Sequence, residues 1–271
     1  MTLCVAVAGQ DHGVSRIVVA SDWRVETETS SSEVQNKFYW IDKNWPALIA
    51  GDPSRALELI ATFRGLFKRF EEKHVAINST NIYDLLKVPL RRFKAKLSDE
   101  YVSQKYRITY KEFLSKGKAM FPEDRFDRLC HDIERIDLEC DLIICRFLGG
   151  EPYIFRIHST GRLELCEHFA AIGSGTDLAE SSLQLREHEE DLPLSQAIFH
   201  VYEAMTLGAK APGVGKVFTI SVLSNPRGAK EVMMQDLTAS AEKRLKSQFD
   251  KYSFKEFFRL GFPRNGLGKP Y

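Results

Sequence analysis

Four short apolar runs within the first fifty-one residues constrain what this chain of 271 residues can fold into. The first run begins at Thr2, and the second ends in a carboxylate at Asp22. The third follows Lys37, and the fourth ends at Gly51. Their length, their β-branched and aromatic residues, and the turn-forming residues between them predict four strands. A helical pattern is expected to follow from Pro53.

Thr2 is the residue in this region whose chemistry is most informative. Methionine is commonly removed when the next residue is small, and we expect Met1 to be removed here. Thr2 would then carry a hydroxyl and a free α-amino group, so that one residue supplies both nucleophile and base. The pKa of an α-amino group, roughly 7.7–8.0, lies near the pH at which a general base is most useful. A Met-Thr start is by itself a weak signal, because short motifs often occur by chance.

The order of the motifs is more specific than any one of them. Thr2 is followed by Asp22-Trp23-Arg24, then by Lys37 before an aromatic strand, and then by Gly51 at the start of a helix. This order resembles that of proteasome β-type subunits and of their bacterial relatives, the HslV peptidase and the ancestral β-subunit proteins (Anbu).

A second block of the sequence resembles the same family. Residues 140–145 and 150–157 are similar to its central hairpin, and residues 169–175 are similar to its Ala-Ile-Gly-Ser-Gly turn into a helix. The resemblance covers roughly residues 2–73 and 138–236.

The resemblance implies an α+β fold, namely the four-layer αββα sandwich of N-terminal nucleophile (Ntn) hydrolases. We expect this domain to span residues 1–236, with a helical insertion at about 95–136 that lies outside the resemblance. Residues 237–271 are expected to form a C-terminal extension, helical at first and rich in aromatic residues. A helix is also expected from near Asn81, and Pro89 predicts an interruption in it.

The resemblance assigns a role to each of five catalytic candidates. Thr2 would attack a peptide carbonyl, Lys37 would lower the pKa of the hydroxyl, and Asp22 would hold Lys37 in place. The backbone N–H of Gly51 would face the oxyanion, and Ser174 would lie near the amine of Thr2. The region that runs along the substrate cleft in the family starts here at Arg24, Val25 and Glu26, which are the candidate substrate contacts. No cofactor and no metal are expected.

Each candidate residue also has an ordinary structural explanation. Asp22 is typical of a turn at a strand end, and Lys37 is typical of a surface lysine that enters a strand. The Gly51-Asp52 pair is typical of a helix start with Asp52 as N-cap, and Ser174 between two glycines is typical of a cap.

One departure from the family leaves other functions open. The family usually carries an Asp and a Ser on the loop after its fourth helix, but residues 204–213 contain neither. The principal hypothesis is a threonine peptidase that acts on peptides or unfolded proteins. The alternatives are a catalytically silent structural subunit and an Ntn amidase that acts on a small molecule.

Composition and charge bear on the class of protein, its partners and its location. The formal net charge is +1, and the hydrophobic and charged fractions of 44% and 28% are typical of a soluble globular protein. A basic run within residues 61–118 is more typical of a solvated helix face than of a nucleic-acid site. We expect a cytoplasmic protein without a membrane segment that forms a ring or spiral of identical subunits, and the sequence does not indicate whether an ATPase feeds it. The odd number of cysteines predicts free thiols at Cys4, Cys130, Cys140, Cys145 and Cys166.

Overall fold

The structure, a computed structural model, describes residues 2–23, 25–26, 31–32, 37–225 and 231–252. Its strands are β1 (Leu3–Asp11), β2 (Val14–Asp22), β3 (Val25–Glu26), β4 (Ser31–Ser32), β5 (Phe38–Asp42), β6 (Trp45–Gly51), β7 (Cys140–Leu148), β8 (Glu151–Ile157), β9 (Leu163–Cys166), β10 (Phe169–Gly173), β11 (Phe218–Ser224) and β12 (Met233–Asp236). Its helices are α1 (Pro53–Glu72), α2 (Ile82–Tyr106), α3 (Tyr110–Met120), α4 (Glu123–Glu134), α5 (Thr176–Leu185), α6 (Leu194–Gly208) and α7 (Ala239–Tyr252).

The strands form two antiparallel sheets of five strands each, as expected for an α+β fold. The first sheet has the order β10-β1-β2-β11-β12, and the second has the order β5-β6-β7-β8-β9. The short strands β3 and β4 pair with each other. All four strands that the apolar runs of residues 2–51 predict are present.

The register of the first sheet brings three strand ends together. Leu3 lies opposite Gly173 on β10, and Cys4 lies opposite Ser21 on β2. The start of β1 therefore meets the ends of β2 and β10, which places Thr2 beside Asp22 at one end of the sheet.

The strands alternate between two apolar environments because successive side chains point to opposite faces. On β1, Cys4, Ala6 and Ala8 join a buried cluster that takes residues from both sheets, whereas Leu3 and Val5 join a cluster with α5 and α6. A third cluster joins the second sheet to α1 and α2. Apolar packing thus holds the sheets to each other and holds helices on the remaining face of each sheet.

Helix α1 begins as the sequence predicts, and helix α2 does not behave as predicted. The Asp52 side chain accepts the backbone N–H of Arg55 at 2.9 Å, which is an N-cap contact. The interruption expected at Pro89 is wrong, because α2 runs unbroken from Ile82 to Tyr106. A proline inside a helix costs about 3 kcal/mol or more. The burial of apolar residues of α2 against the second sheet offsets this cost; they include Leu86, Leu90, Phe93 and Leu97.

The expected helical insertion contains α3, α4 and the last turns of α2. Val102, Phe113 and Leu129 form a small buried cluster among these helices. At the other end of the chain, α7 packs on α6 through an edge-to-face contact of Phe249 with Tyr202. The aromatic residues predicted beyond α7, from Phe254 onward, lie outside the described residues.

Candidate active site

Asp22, at the end of β2, is contacted by four donors from three different parts of the chain. Its Oδ1 atom lies 3.0 Å from the Thr2 hydroxyl, 2.9 Å from the Leu3 N–H and 2.6 Å from the Lys37 ammonium. Its Oδ2 atom accepts the Gly215 N–H at 2.9 Å. Asp22 has no exposed surface, and a buried carboxylate is stable only with partners of this kind.

Lys37 connects the second sheet to Asp22 on the first. It stands immediately before β5, and the residue is only 5% exposed. Its backbone carbonyl accepts the N–H of Ile49 on β6 at 3.0 Å, which fixes the point from which the side chain extends. The interpretation of Lys37 as a surface lysine is therefore wrong, because it is a buried cation paired with a buried carboxylate.

Thr2 is held by its main chain as well as by its side chain. The Thr2 carbonyl accepts the N–H of Ser174 at 2.8 Å, and the residue as a whole is only 4% exposed. Gly173 makes this contact possible: a Cβ at Gly173 would lie 2.2 Å from the Thr2 carbonyl oxygen, and its φ of +97° favours glycine.

Ser174 lies next to Thr2 as the resemblance implies, through a contact that the sequence did not predict. The contact is made by the backbone N–H of Ser174 and not by its hydroxyl, and the residue itself is exposed.

Gly51 ends β6 with its backbone exposed and with a φ of +89°. A Cβ here would lie 2.5 Å from the carbonyl oxygen of Glu139, so no other residue fits without a shift of the backbone. Ile49 lies two residues before Gly51 on the same strand. Its backbone N–H donates to the Lys37 carbonyl at 3.0 Å, and its carbonyl accepts the Cys4 thiol at 3.4 Å. The strand that carries Gly51 is thereby fixed beside the buried ion pair.

The described part of the structure does not include the side chains of the three candidate substrate contacts. Arg24 lies outside the described residues, and Val25 and Glu26 are described only as the backbone of β3, which pairs with β4. Trp23, which precedes Arg24, is fixed by its indole N–H, which donates to the Thr219 hydroxyl at 2.7 Å.

A pocket of about 350 Å³ opens between the two sheets beside the site. Ser21 and Trp23, on either side of Asp22, form part of its wall, and so does Phe38, which follows Lys37. Its remaining walls combine apolar groups with hydroxyls and one carboxylate; they are Val19, Ala20, Leu48, Thr219, Ser221, Met234 and Asp236. A pocket of this size and lining can accept an apolar group that carries one or two polar atoms.

Two further residues lie at the site although the sequence did not indicate that they would. Gly215 comes from the loop after α6 and bonds to Asp22 through its backbone N–H, a contact that leaves no trace in the residue type. Cys4 lies on β1 close to the ion pair, and burial raises the pKa of its thiol well above the usual range, although the nearby charge of Lys37 acts in the opposite direction. The Cys4 thiol is therefore un-ionised at neutral pH and is a poor competitor for the role of nucleophile.

No family model matches the chain, and no curated protein matches it. Within the part of the chain that the structure describes, no group of three or more His, Cys, Asp or Glu residues is arranged to hold a metal ion. No helix among the same residues is long and apolar enough to cross a membrane.

Proposed function

We propose that the protein is an Ntn hydrolase of the proteasome-subunit type, in which Thr2 cleaves peptide bonds after the removal of Met1. The observation that carries this proposal is the buried chain of contacts from the Thr2 hydroxyl to Asp22 and on to Lys37. A hydroxyl, a carboxylate and an ammonium are costly to bury, and ordinary turn and surface roles give no reason to bury them together. The cluster between the sheets and the helices on their other faces support the αββα sandwich.

In the proposed reaction, the Thr2 hydroxyl attacks the substrate carbonyl while the free α-amino group takes its proton, directly or through a water. The positive charge of Lys37 favours loss of that proton, and Asp22 keeps Lys37 in position. The N–H of Gly51 stabilises the oxyanion of the tetrahedral intermediate. The α-ammonium then returns the proton to the leaving amine, and water hydrolyses the ester formed on Thr2.

The missing Asp and Ser on the loop after α6 do not leave the site without support. That loop contributes the N–H of Gly215 to Asp22, and the N–H of Ser174 holds the Thr2 carbonyl. We infer that backbone donors take over part of the positioning that side chains perform in the family.

The pocket between the sheets favours a second candidate function, the hydrolysis of a small amide. Its volume of about 350 Å³ is in the range of pockets that enclose small ligands, and its walls include the neighbours of Asp22. The same Thr2 chemistry would serve both substrates, so the two functions differ in substrate and not in mechanism.

The direct test is hydrolysis of a peptide series and of a series of small amides by the purified protein. Thr2→Ala should abolish hydrolysis of whichever series the protein cleaves, and Thr2→Ser should keep part of it because the hydroxyl is retained. Thr80→Ala is a matched control, since Thr80 is exposed on the loop before α2. Equal hydrolysis by the Thr2→Ala variant and the wild type would contradict the proposal. No hydrolysis of either series by the wild type would favour the silent structural subunit.

The proposal extends to assembly and location. We propose a cytoplasmic homo-oligomer, a ring or spiral whose sites face inward and receive peptides or unfolded proteins, with no role for nucleic acid or a membrane. We do not propose an ATPase partner for this assembly. Native mass spectrometry tests the assembly: a monomer would contradict the enclosed chamber and would favour the amidase.

A further inference from the structure

The turn that carries Gly51 is fixed by a residue with no role assigned so far, Glu139. The Asp52 N–H donates to the Glu139 carbonyl at 2.8 Å, and the same carbonyl fills the space where a side chain at position 51 would lie. The main chain of Glu139 is thus in direct contact with both residues of the Gly51-Asp52 turn.

Glu139 reaches this position only through an unfavourable backbone conformation. Its φ is +58°, in the left-handed region, which costs a residue with a side chain roughly 1–2 kcal/mol. Neighbouring contacts hold it there: the Glu139 N–H donates to Asp137 at 2.6 Å, and the Leu138 N–H donates to the Ser159 carbonyl at 2.6 Å. Strain of this kind persists where the surroundings over-determine the conformation, and it is frequent near functional sites.

The side chain of Glu139 ties the turn to two helices. Its carboxylate lies 3.4 Å from the Arg55 guanidinium in the first turn of α1. Arg55 also lies 3.1 Å from Glu58 on α1 and 3.1 Å from Glu100 on α2. Lys96 on α2 pairs with the same two glutamates, and its hydrogen bond lowers the pKa of Glu58, which keeps that carboxylate charged.

These ion pairs, which join Arg55 and Lys96 to three glutamates, reach the helical insertion, because Lys96 and Glu100 lie within residues 95–136. A single exposed ion pair contributes little, but several charges that share partners form a network that resists displacement. The network joins the insertion to the first turn of α1, and Asp52 caps that turn.

We propose that Glu139 is a positioning residue that, with Arg55 and Glu100, braces the Gly51 turn so that the Gly51 N–H stays directed at the oxyanion. The helical insertion thereby supports the active site without contacting substrate. The inference rests on the proposed function, since it assigns Glu139 a role in that reaction.

The test compares Glu139→Val with Glu139→Asp, using the full chain and a β-lactone that acylates Thr2. Valine removes the carboxylate and is strongly disfavoured at positive φ, whereas Asp keeps the charge and tolerates that conformation. Because small displacements of a reacting group are costly, Glu139→Val should lower the maximal acylation rate about 10-fold. The lactone concentration that gives half of that rate should stay unchanged, and Glu139→Asp should restore most of the rate. Glu134→Val, at an exposed position near the end of α4, is the matched control.

Hydrogen exchange of the segment around Gly51 gives a readout that is independent of activity. Glu139→Val should speed exchange there, and Glu134→Val should not. If the wild type is acylated at Thr2 and both valine variants match it in rate and exchange, the bracing role is wrong and the proposed function stands. If the wild type is never acylated, the proposed function fails, and the role of Glu139 in the reaction fails with it.

Discussion

The ammonium of Lys37 lies 2.6 Å from the carboxylate of Asp22, and this contact joins the start of β5 to the end of β2 across the two sheets. Both side chains are almost completely buried, so the pair is part of the interior and not of the surface. The Thr2 hydroxyl shares the same carboxylate oxygen, which makes this hydroxyl and the Lys37 ammonium neighbours.

Replacement of Lys37 by Met should affect both stability and catalysis. Removing one partner of a buried ion pair leaves an unpaired charge and typically costs about 3–5 kcal/mol, so we expect Lys37→Met to lower the free energy of unfolding by this amount. Acylation of Thr2 should be lost as well. Urea unfolding and labelling with a β-lactone measure the two effects. Lys43→Met is the matched control, because Lys43 is half exposed and pairs only loosely with Glu231 at 3.5 Å.

The double variant Lys37→Met/Asp22→Asn separates the two effects. It removes both charges, so most of the lost stability should return while acylation stays absent. A double variant that acylates Thr2 at the wild-type rate would show that the ion pair is structural only.

Gly173→Ala should displace Thr2. The new Cβ would lie 2.2 Å from the Thr2 carbonyl oxygen at a φ of +97°, so strain and steric overlap act together. We expect a loss of at least about 2 kcal/mol in the free energy of unfolding and a loss of Thr2 acylation. Gly150→Ala is the control, because its φ of +95° is similar and nothing lies within 4 Å of a Cβ there. An equal effect of the two variants would mean that the close approach to Thr2 has no importance of its own.

A buried pair of histidines predicts how stability depends on pH. The Nδ1 atoms of His188 and His200 lie 3.0 Å apart, and His188 Nε2 lies 2.9 Å from the carbonyl oxygen of Ala8. Since a carbonyl only accepts, His188 Nε2 donates, and the neutral pair holds one proton between its Nδ1 atoms. Burial lowers the pKa of both rings, that of His200 to about 4, and the nearby Arg186 charge also opposes protonation of His200. Arg186 itself forms an ion pair with the buried Glu203.

The unfolded state, with histidine pKa values of about 6.5, binds more protons than the folded state between pH 4 and 6.5. Stability should therefore be fully present above pH 6.5 and should fall as the pH drops toward 4, with a contribution from His200 on the order of 3 kcal/mol. Urea midpoints at pH 7.5 and 5.0 check this for the wild type and for His200→Gln, which should show a weaker dependence. His12→Asn, at the exposed turn between β1 and β2, should leave the dependence unchanged. If His200→Gln keeps the full dependence, other groups are responsible.

Local patterns predicted the parts of the structure that local interactions determine. The strands from Thr2 to Gly51 and the Asp52 cap follow from apolar runs and from turn and cap residues that lie next to them in sequence. Pro89 shows the limit of this reasoning, because the interruption it favours is overridden by tertiary packing of α2 that no local pattern reveals.

Residue types allowed the side-chain contacts of the site to be predicted, but they gave no indication of its backbone contacts. Thr2, Asp22 and Lys37 carry groups whose order suggested a site, and the structure brings the three together. The donors from Ser174 and Gly215 are main-chain N–H groups, which every residue except proline has, so only the fold reveals them.

In the proposed function, Thr2 acts as an N-terminal nucleophile. The measurement that tests it most directly is the intact mass of the purified wild type and of Thr2→Ala, before and after treatment with a β-lactone or an epoxyketone. We expect that the wild type has lost Met1 and gains one stoichiometric adduct located on Thr2, and that Thr2→Ala gains none. Retention of Met1, or a free Thr2 that never forms an adduct, would contradict it.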